Sequence, residues 1–583
     1  MHPPYPCSAF IPVHRTGYSA GRFYKNGDKM ILGIDVGGTH TDAVLVENFK
    51  VKSKAKVLTD NANIMASLLA VAEKIISDEN INNIKRIVLS TTISTNAIVQ
   101  GKTDRVGMVL LSGPGLSPQT LNSGSDSFFA SGYINHRGMV MQPLNKEEIN
   151  EIGEYFRREN INYLGIVGKF STRNPQQELA VAEILKNNNR HFSLGHKLSG
   201  HLNFPRRIAT TYLNAGIDRL YNDFFREVKL FLREIDARFP VYILKADGGT
   251  ILIDQSVFYS AQTIHSGPAA SIMGVLASTC IKEDAVALDI GGTTTDISIF
   301  ADGVPLLDAS GITIGGRKTL IRGLYTKSIG VGGDSVVGVQ EGRLFVGPLR
   351  EGLAVALGGT FPTLTDAIIV LGLAALGNPQ KSFEAIQPLA AQLNTDIVSA
   401  SSLILETATR IIADNVRQML DEINNKPVYT IHELLEGKTI KPQVVCIVGG
   451  PAAALASCVG RHLGYPYLIP EHSEVANALG AALARTTAEI TVLADTEKEE
   501  LTISEEGISR RIPHSFSALD AIEDGKEALR LRAIKMGANV NDLEMEVTEV
   551  QEFNMIRNFY TTGKNIRAKI QIKPGLISAA NVR

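Results

Sequence analysis

The chain has 583 residues, more than one hydrophobic core usually organises, so at least two large domains are expected. Its 58 Lys and Arg nearly balance 60 Asp and Glu, and a net charge of −2 provides no field to gather DNA, RNA or acidic lipid. Hydrophobic residues at 44% and charged residues at 20% are ordinary globular composition, with no apolar run long enough to span a membrane.

Residues 1–29 are rich in Pro, Tyr, Gly and basic side chains and lack the apolar stretch of a secretory signal. They are expected to be a flexible extension or the product of a wrongly chosen start codon, because Met30 opens a strand pattern and looks like a natural start. That strand runs into Asp35-Val36-Gly37-Gly38-Thr39-His40-Thr41-Asp42, and a second apolar stretch, Ala43 to Val46, follows. Strand, glycine turn, strand predicts a hairpin. Next come a helix over 63–76, strands over 86–90 and 105–112, a helix over 146–159, a strand over 163–170 and a helix over 174–187. The alternation predicts α/β layers. A long amphipathic helix is expected over 213–237 and a buried strand over 241–245. Ser266-Gly267-Pro268-Ala269 opens a small-residue helix whose N-terminus can bind an anion, or which Ser266 simply caps.

The first hairpin pattern then recurs. A strand over 285–288 leads into Asp289-Ile290-Gly291-Gly292-Thr293-Thr294-Thr295-Asp296, followed by Ile297 to Phe300. So long an interval between copies predicts two similar domains rather than a solenoid. Ala367 to Leu376 reads as a buried helix. Val444 to Val448 reads as a buried strand ending in Gly449-Gly450-Pro451. From about Glu489 the chain changes character, with charged linker-like stretches, a helix over 525–536 and strands near 542–550 and 566–572, a small α+β module.

Paired glycines let backbone N–H groups approach phosphate oxygens with no Cβ in the way. Thr39, Thr41, Thr293 and Thr294 can add hydroxyl donors, and Asp35 and Asp289 stand at strand ends where a carboxylate can hold Mg2+ or its waters. Two such loops facing each other would clamp a triphosphate from both sides. A lone loop of this kind is explained as well by a tight hairpin whose Asp stabilises the turn; two near-identical copies, each between strands, tip the balance toward phosphate. Gly449-Gly450 before a small-residue helix can admit an adenosine against bare backbone, or is an ordinary strand-to-helix turn. Arg206 and Arg207 can meet a substrate carboxylate or be surface charge. The four cysteines, Cys7, Cys280, Cys446 and Cys458, form no CxxC pair or metal-ligand spacing and read as reduced thiols of a cytoplasmic protein.

Taken together, the order of first loop, second loop and Gly-Gly resembles the actin, heat-shock-chaperone and sugar-kinase ATPase superfamily. More narrowly, the chain resembles the A-type, ATP-binding half of the hydantoinase/oxoprolinase family, from Met30 to about Arg485. The resemblance is carried by Asp35 to Asp42, Ser90-Thr91-Thr92 with Thr95-Asn96-Ala97, His265 to Ala269, Asp289 to Asp296, Ser328 to Gly333 and Thr363 to Ala367. It implies an α/β fold of two related actin-like (ribonuclease-H-like) ATPase domains with a cleft between them. Residues 30–205 would hold the first loop, 206–488 the second loop and the adenosine motif, and 489–583 the C-terminal module.

Members of that family use ATP to open cyclic amides such as hydantoins and 5-oxoproline by phosphorylating the carbonyl oxygen; relatives carboxylate ketones through a phosphorylated enol. The resemblance implies ATP and Mg2+ as cofactors, a small cyclic amide or related carbonyl substrate, and a B-type partner subunit. It is compatible with a homo-oligomer or with an ATP-driven regulator of a partner protein, and with a cytoplasmic location. It assigns catalytic roles to Asp35, Asp289, Asp42 and Asp296, the first two as metal ligands and the others as orienting or basic carboxylates. Gly37, Gly38, Thr39, Thr41, Gly291, Gly292, Thr293 and Thr294 would hold phosphates, Gly332 and Gly333 would lie near the nucleotide, and Gly449 and Gly450 would face adenosine. The chain departs from the family at Leu89, where characterised members commonly have His, so no metal site is expected there. It also has Asp334 where the family usually continues with Gly; a carboxylate there can repel phosphate or hold a cation. The family's Pro-Gly-Pro-Ala-Cys-Tyr-Gly stretch before Thr363 is absent, with only Ala356-Leu357-Gly358-Gly359 nearby.

Overall fold

The computed structural model describes residues 30–577, apart from 39, 61, 77–82, 118–120, 122–123, 187–189, 238, 280, 309 and 426–438. The expected extension, Thr39, Cys7 and Cys280 therefore lie outside the described residues.

Every residue of the strand Met30–Val36 is buried. Such a strand must be covered on both faces. It sits near the middle of a six-stranded sheet ordered Thr250–Leu252, Val241–Leu244, Ile84–Thr91, Met30–Val36, His40–Glu47, Lys50–Leu58. The strands 241–244, 84–91 and 30–36 run parallel; 40–47 and 50–58 fold back antiparallel. On one face, the helices Ile64–Glu73 and Phe204–Glu234 send Leu68, Val71, Phe224, Val228 and Phe231 into a core with Leu32, Ile34 and Ile87. Asn63 and Asn203 cap these helices by accepting from backbone N–H groups of the first turn. The helix Ala476–Leu483 covers the other face, packing on Ile31 and Val44.

A second layer of four parallel strands, ordered His191–Leu194, Tyr163–Gly168, Val106–Leu111, Ser127–Phe129, packs against helices Lys146–Arg158 and Gln176–Leu185. The second hairpin starts another sheet. Ala285–Ile290 pairs antiparallel with Thr295–Ala301 and parallel with Val444–Val448, the pattern of the first sheet's centre. Helices Leu364–Val370, Pro379–Gln392, Ile397–Asn424 and Ala452–Leu463 supply its core.

The C-terminal module is a five-stranded antiparallel sheet, ordered Ile508–Arg511, Glu500–Ile503, Glu489–Asp495, Tyr560–Ile572, Met545–Arg557, with helix Ala518–Lys535 on it. Ser517 and Asp520 start that helix with a reciprocal capping box. Ile490, Val492, Leu529 and Ile570 join the same core as Leu32 and Phe231, so the module is part of the first domain's packing.

Several expectations differ from what is seen. The division at 205/206 falls inside the helix Phe204–Glu234, and the first sheet takes two strands from beyond it. That helix starts well before the expected 213, because Pro205 in its first turn suits a helix start. The apolar run 367–376 is helical only to Val370; Gly372 takes a left-handed turn, φ +69°, and Leu373 and Leu376 end up exposed. Among the described residues, no helix is long and apolar enough to cross a membrane.

Candidate active site

In each hairpin the strand register pairs an aspartate with an aspartate. Asp35 lies opposite Asp42, and Asp289 opposite Asp296. Directly opposed residues share a face of the sheet, so each hairpin carries two carboxylates side by side. The turns match as well: Gly37 N donates to His40 O (3.0 Å) and Gly291 N donates to Thr294 O (2.9 Å).

Two helices bring the hairpins together. Asn477, on Ala476–Leu483, donates Nδ2 to Asp35 Oδ2 at 3.3 Å. Ser271, on the helix Ser266–Ser278, lies between Asn477 Oδ1 (2.9 Å) and the Asp289 carboxylate, with one proton to give. The chain Asp35, Asn477, Ser271, Asp289 thus links the first loop to the second. Neither Asn477 nor Ser271 was singled out in the sequence, since nothing local marks them; Ser90 was named only as part of the Ser90-Thr91-Thr92 motif.

These helices meet at glycines. A Cβ on Gly480 would lie 2.2 Å from Ala270 O, one on Gly274 2.2 Å from Ala476 O, and one on Gly33 2.2 Å from Ala478 O. Backbone contact at all three points sets Asn477 over Asp35.

Burial dominates the electrostatics. It pushes the Asp35 carboxyl up to about 6, helped by the charges of Asp42 and Asp289 and opposed by the neighbouring Ser90 hydroxyl and the hydrogen bond from Asn477. Burial, with Asp289's charge, pushes Asp296 up to about 7 against a hydrogen bond from Ser328. Asp289 is raised by burial against the Ser271 bond. Asp42 is raised by burial too, but Lys56 opposes this, its Nζ 2.9 Å from Asp42 Oδ2.

Asp35 Oδ1 is buried and has no hydrogen-bond partner, a hard oxygen suited to a divalent cation. Among the described residues no three His, Cys, Asp or Glu converge on a metal position. Mg2+ takes one or two carboxylates and fills its shell with waters and phosphate oxygens.

The glycines are required by close approach. A Cβ on Gly332 would sit 2.6 Å from Gly292 O and 2.7 Å from Gly291 O, and Gly333 N donates to Gly291 O at 3.0 Å. Gly449, φ +100°, lies against Ile290 O and Asp289 Oδ1, at 2.3 and 2.7 Å from a would-be Cβ, whereas Gly450 faces open space. Gly292 and Thr293 are exposed at the second tip. Thr41 does not fit the phosphate role expected of it: it is wholly buried, its hydroxyl 2.9 Å from that of Thr59.

Other expectations resolve as structure. Ser266 does not cap its helix; its hydroxyl donates to Thr91 O at 2.7 Å, and His265 is the cap residue. Arg207 is fully buried and donates to the carbonyls of Gly168 (2.7 Å) and Lys169 (2.9 Å), while Arg206 is bonded to the Ser310 and Thr319 carbonyls. Neither is poised for a substrate. Leu89 is a buried residue of the first core. A cavity of about 10 Å³ touches Ser271, Asp289, Asp296 and Val448 beside the second loop. A larger one, about 40 Å³, lies away from both loops, between the first sheet and the C-terminal module, with Lys245, Asp247, Arg322 and Glu505 on its walls.

The hydantoinase/oxoprolinase N-terminal region matches residues 31–189, and hydantoinase/oxoprolinase matches residues 207–490. The chain belongs to the hydantoinase/oxoprolinase family. It is similar to the caprolactamase subunit alpha of Pseudomonas jessenii, 23% identical over 68% of this chain and 63% of that one. It is also similar to the acetophenone carboxylase gamma subunit of Aromatoleum aromaticum, 24% identical over 61% of this chain and 55% of that one. The chain therefore spans less than two thirds of the length of these relatives. A nucleotide-free structure of acetone carboxylase superposes on 95% of this chain and 89% of its own, with a TM-score of 0.71 at 17% identity. The hydantoinase/oxoprolinase chain thus has the two-domain actin-like ATPase fold.

Proposed function

We propose that this chain binds Mg-ATP between its two hairpins and activates a cyclic amide, such as a hydantoin or 5-oxoproline, for opening by water. The observation that carries the reading is the Asp35, Asn477, Ser271, Asp289 chain, which sets two phosphate loops against each other in one site.

The backbone N–H groups of Gly37, Gly38, Gly291 and Gly292 would bind phosphate oxygens, with the Thr293 hydroxyl beside them in the second loop. Gly332 and Gly333 pack closely against the second tip, and Gly450 leaves room for adenosine. Asp35 and Asp289 would hold Mg2+, which offsets phosphate charge. ATP would supply a phosphoryl group to the amide oxygen, making the carbon, otherwise shielded by nitrogen donation, open to attack by water with departure of the ring nitrogen; the phosphate would then be released by hydrolysis. Asp296, titrating at about 7, is suited to take a proton from an incoming water at neutral pH. Asp42, paired with Lys56, is better placed to fix the hairpin than to act as a base.

Similarity to a caprolactamase subunit supports amide opening. Similarity to an acetophenone carboxylase subunit supports a second reading, ketone carboxylation by the same phosphate clamp. Both relatives are named as subunits, which supports a B-type partner for full turnover. The test incubates the chain with Mg-ATP and hydantoin, 5-oxoproline, caprolactam, or acetophenone with bicarbonate, with and without a candidate partner subunit. ADP and product are followed together. Ring-opened product formed in step with ADP is expected once the partner is added. ADP release that only a protein partner stimulates, and no carbonyl compound, would instead make the chain a regulator.

A further inference from the structure

Asp334, a departure from the family pattern, is placed on the tip of the second hairpin. Its backbone N donates to Gly292 O at 2.6 Å, and the neighbouring Gly333 N donates to Gly291 O. A Cβ on Gly292 would lie only 2.7 Å from Asp334 Oδ2. The carboxylate therefore stands directly over the exposed glycine where a phosphate oxygen is proposed to dock. Two anions cannot share that place without a strong mutual penalty.

Arg350 holds the same oxygen: its Nη2 donates to Asp334 Oδ2 at 3.0 Å. It reaches in from a loop fixed by two backbone bonds of 2.9 Å, Gly347 N to Val336 O and Val336 N to Leu349 O. The Arg350 side chain is 33% exposed and that of Asp334 14%, so the guanidinium is the more open member of the pair. A partly exposed ion pair contributes little to stability, so parting it costs little. His40, at the tip of the first hairpin, is close enough that its charge and that of Asp334 influence each other.

We propose that Asp334 and Arg350 form a latch on the nucleotide site: Asp334 occupies the anion position over Gly292 until ATP arrives, and Arg350 then passes from Asp334 to the terminal phosphate. The proposal rests on the nucleotide reading above. A guanidinium brought to a transferring phosphoryl group neutralises the charge that spreads over its oxygens, and arginines so used raise rates by about 10³–10⁵. Here the arginine would be stored on a carboxylate of the same domain.

The experiment titrates the full chain, wild type and the variants Asp334→Asn, Arg350→Ala, Arg350→Lys and the double Asp334→Asn/Arg350→Ala, with the ATP analogue AMPPNP and separately with ADP, both with Mg2+. Melting temperatures confirm that each variant is folded. Asp334→Asn should bind AMPPNP about tenfold tighter, since a like charge is removed at contact distance. Arg350→Ala should weaken AMPPNP binding about tenfold or more, leave ADP within about twofold, and keep that loss in the Asp334→Asn background. Arg350→Lys should recover part of the loss. If Arg350→Ala has no effect once Asp334 is neutral, the arginine only screens the aspartate and the latch is refuted, while the nucleotide site stands. Equal losses for AMPPNP and ADP would also refute it. Failure of the folded wild type to bind either nucleotide would bring down the underlying reading and the latch with it.

Discussion

Asp296 and Asp42 occupy equivalent places in the two hairpins, yet they face different chemistry. Asp42 has Lys56 at 2.9 Å, whereas Asp296 has Asp289's charge and only Ser328 to offset it. A carboxyl raised from 3.8 to about 7 is protonated in the folded state while the same group in the unfolded chain has already ionised. Between about pH 4 and pH 7 the folded state thus binds the extra proton, and stability falls as pH rises through that window. Asp296→Asn removes this penalty. We expect it to melt higher than wild type at pH 8, by on the order of 2–4 kcal/mol, and to match wild type at pH 4. Parallel thermal melts at the two pH values check this; a gain that is the same at both would place the effect elsewhere. Gly449→Ala is the sharpest steric probe. Its φ of +100° and the 2.3 Å approach to Ile290 O leave no room for a methyl group. We expect it to cost about 2–4 kcal/mol in denaturant titrations and to abolish nucleotide binding.

The two hairpins are the elements that the sequence shows most clearly, because a glycine pair between apolar strands is a local signal. The helix Ala476–Leu483 is the opposite case. Asn477 matters only because Gly33, Gly274 and Gly480 let that helix touch a strand and a second helix backbone to backbone. Those partners come from distant parts of the chain, so no window of sequence contains the site. Thr41 failed as a phosphate ligand for a related reason: strand alternation turns it inward against Thr59, just past the end of the next strand. Gly480→Val should therefore act at a distance. Pushing the helices apart is expected to cost about 3 kcal/mol or more and to lower ATPase activity by separating Asn477 from Asp35. Asn477→Ala should leave the packing intact, cost only about 1–2 kcal/mol, and still reduce the ATPase rate. Comparing urea midpoints with turnover separates the two effects; full activity in Asn477→Ala would remove this residue from the site.

On the scale of the whole molecule, alternating helices and strands were legible, but how they group into sheets was not. The first sheet collects strands from residues 30 to 252, passing over the whole four-stranded layer, and is then closed by a helix at 476–483. Such crossings leave no composition shift at 205/206 to betray them. The C-terminal sheet likewise read as a small module of its own, but Ile490, Leu529 and Ile570 lie in the core beneath Leu32. A chain ended at residue 488 should expose that core and aggregate or bind a hydrophobic dye, rather than melt as an independent ATPase. Soluble, cooperatively folding protein from that truncation would show the module to be dispensable.

The two aspartate hairpins are proposed to form one Mg-ATP site. The most direct test of this is calorimetric titration of the full chain with Mg-ATP, beside Asp289→Asn and Asp35→Asn. One site per chain is expected in the wild type, with at least a tenfold weaker affinity in either variant, both hairpins contributing to the same binding event. No binding to the folded wild type, or binding unchanged by either substitution, would contradict it.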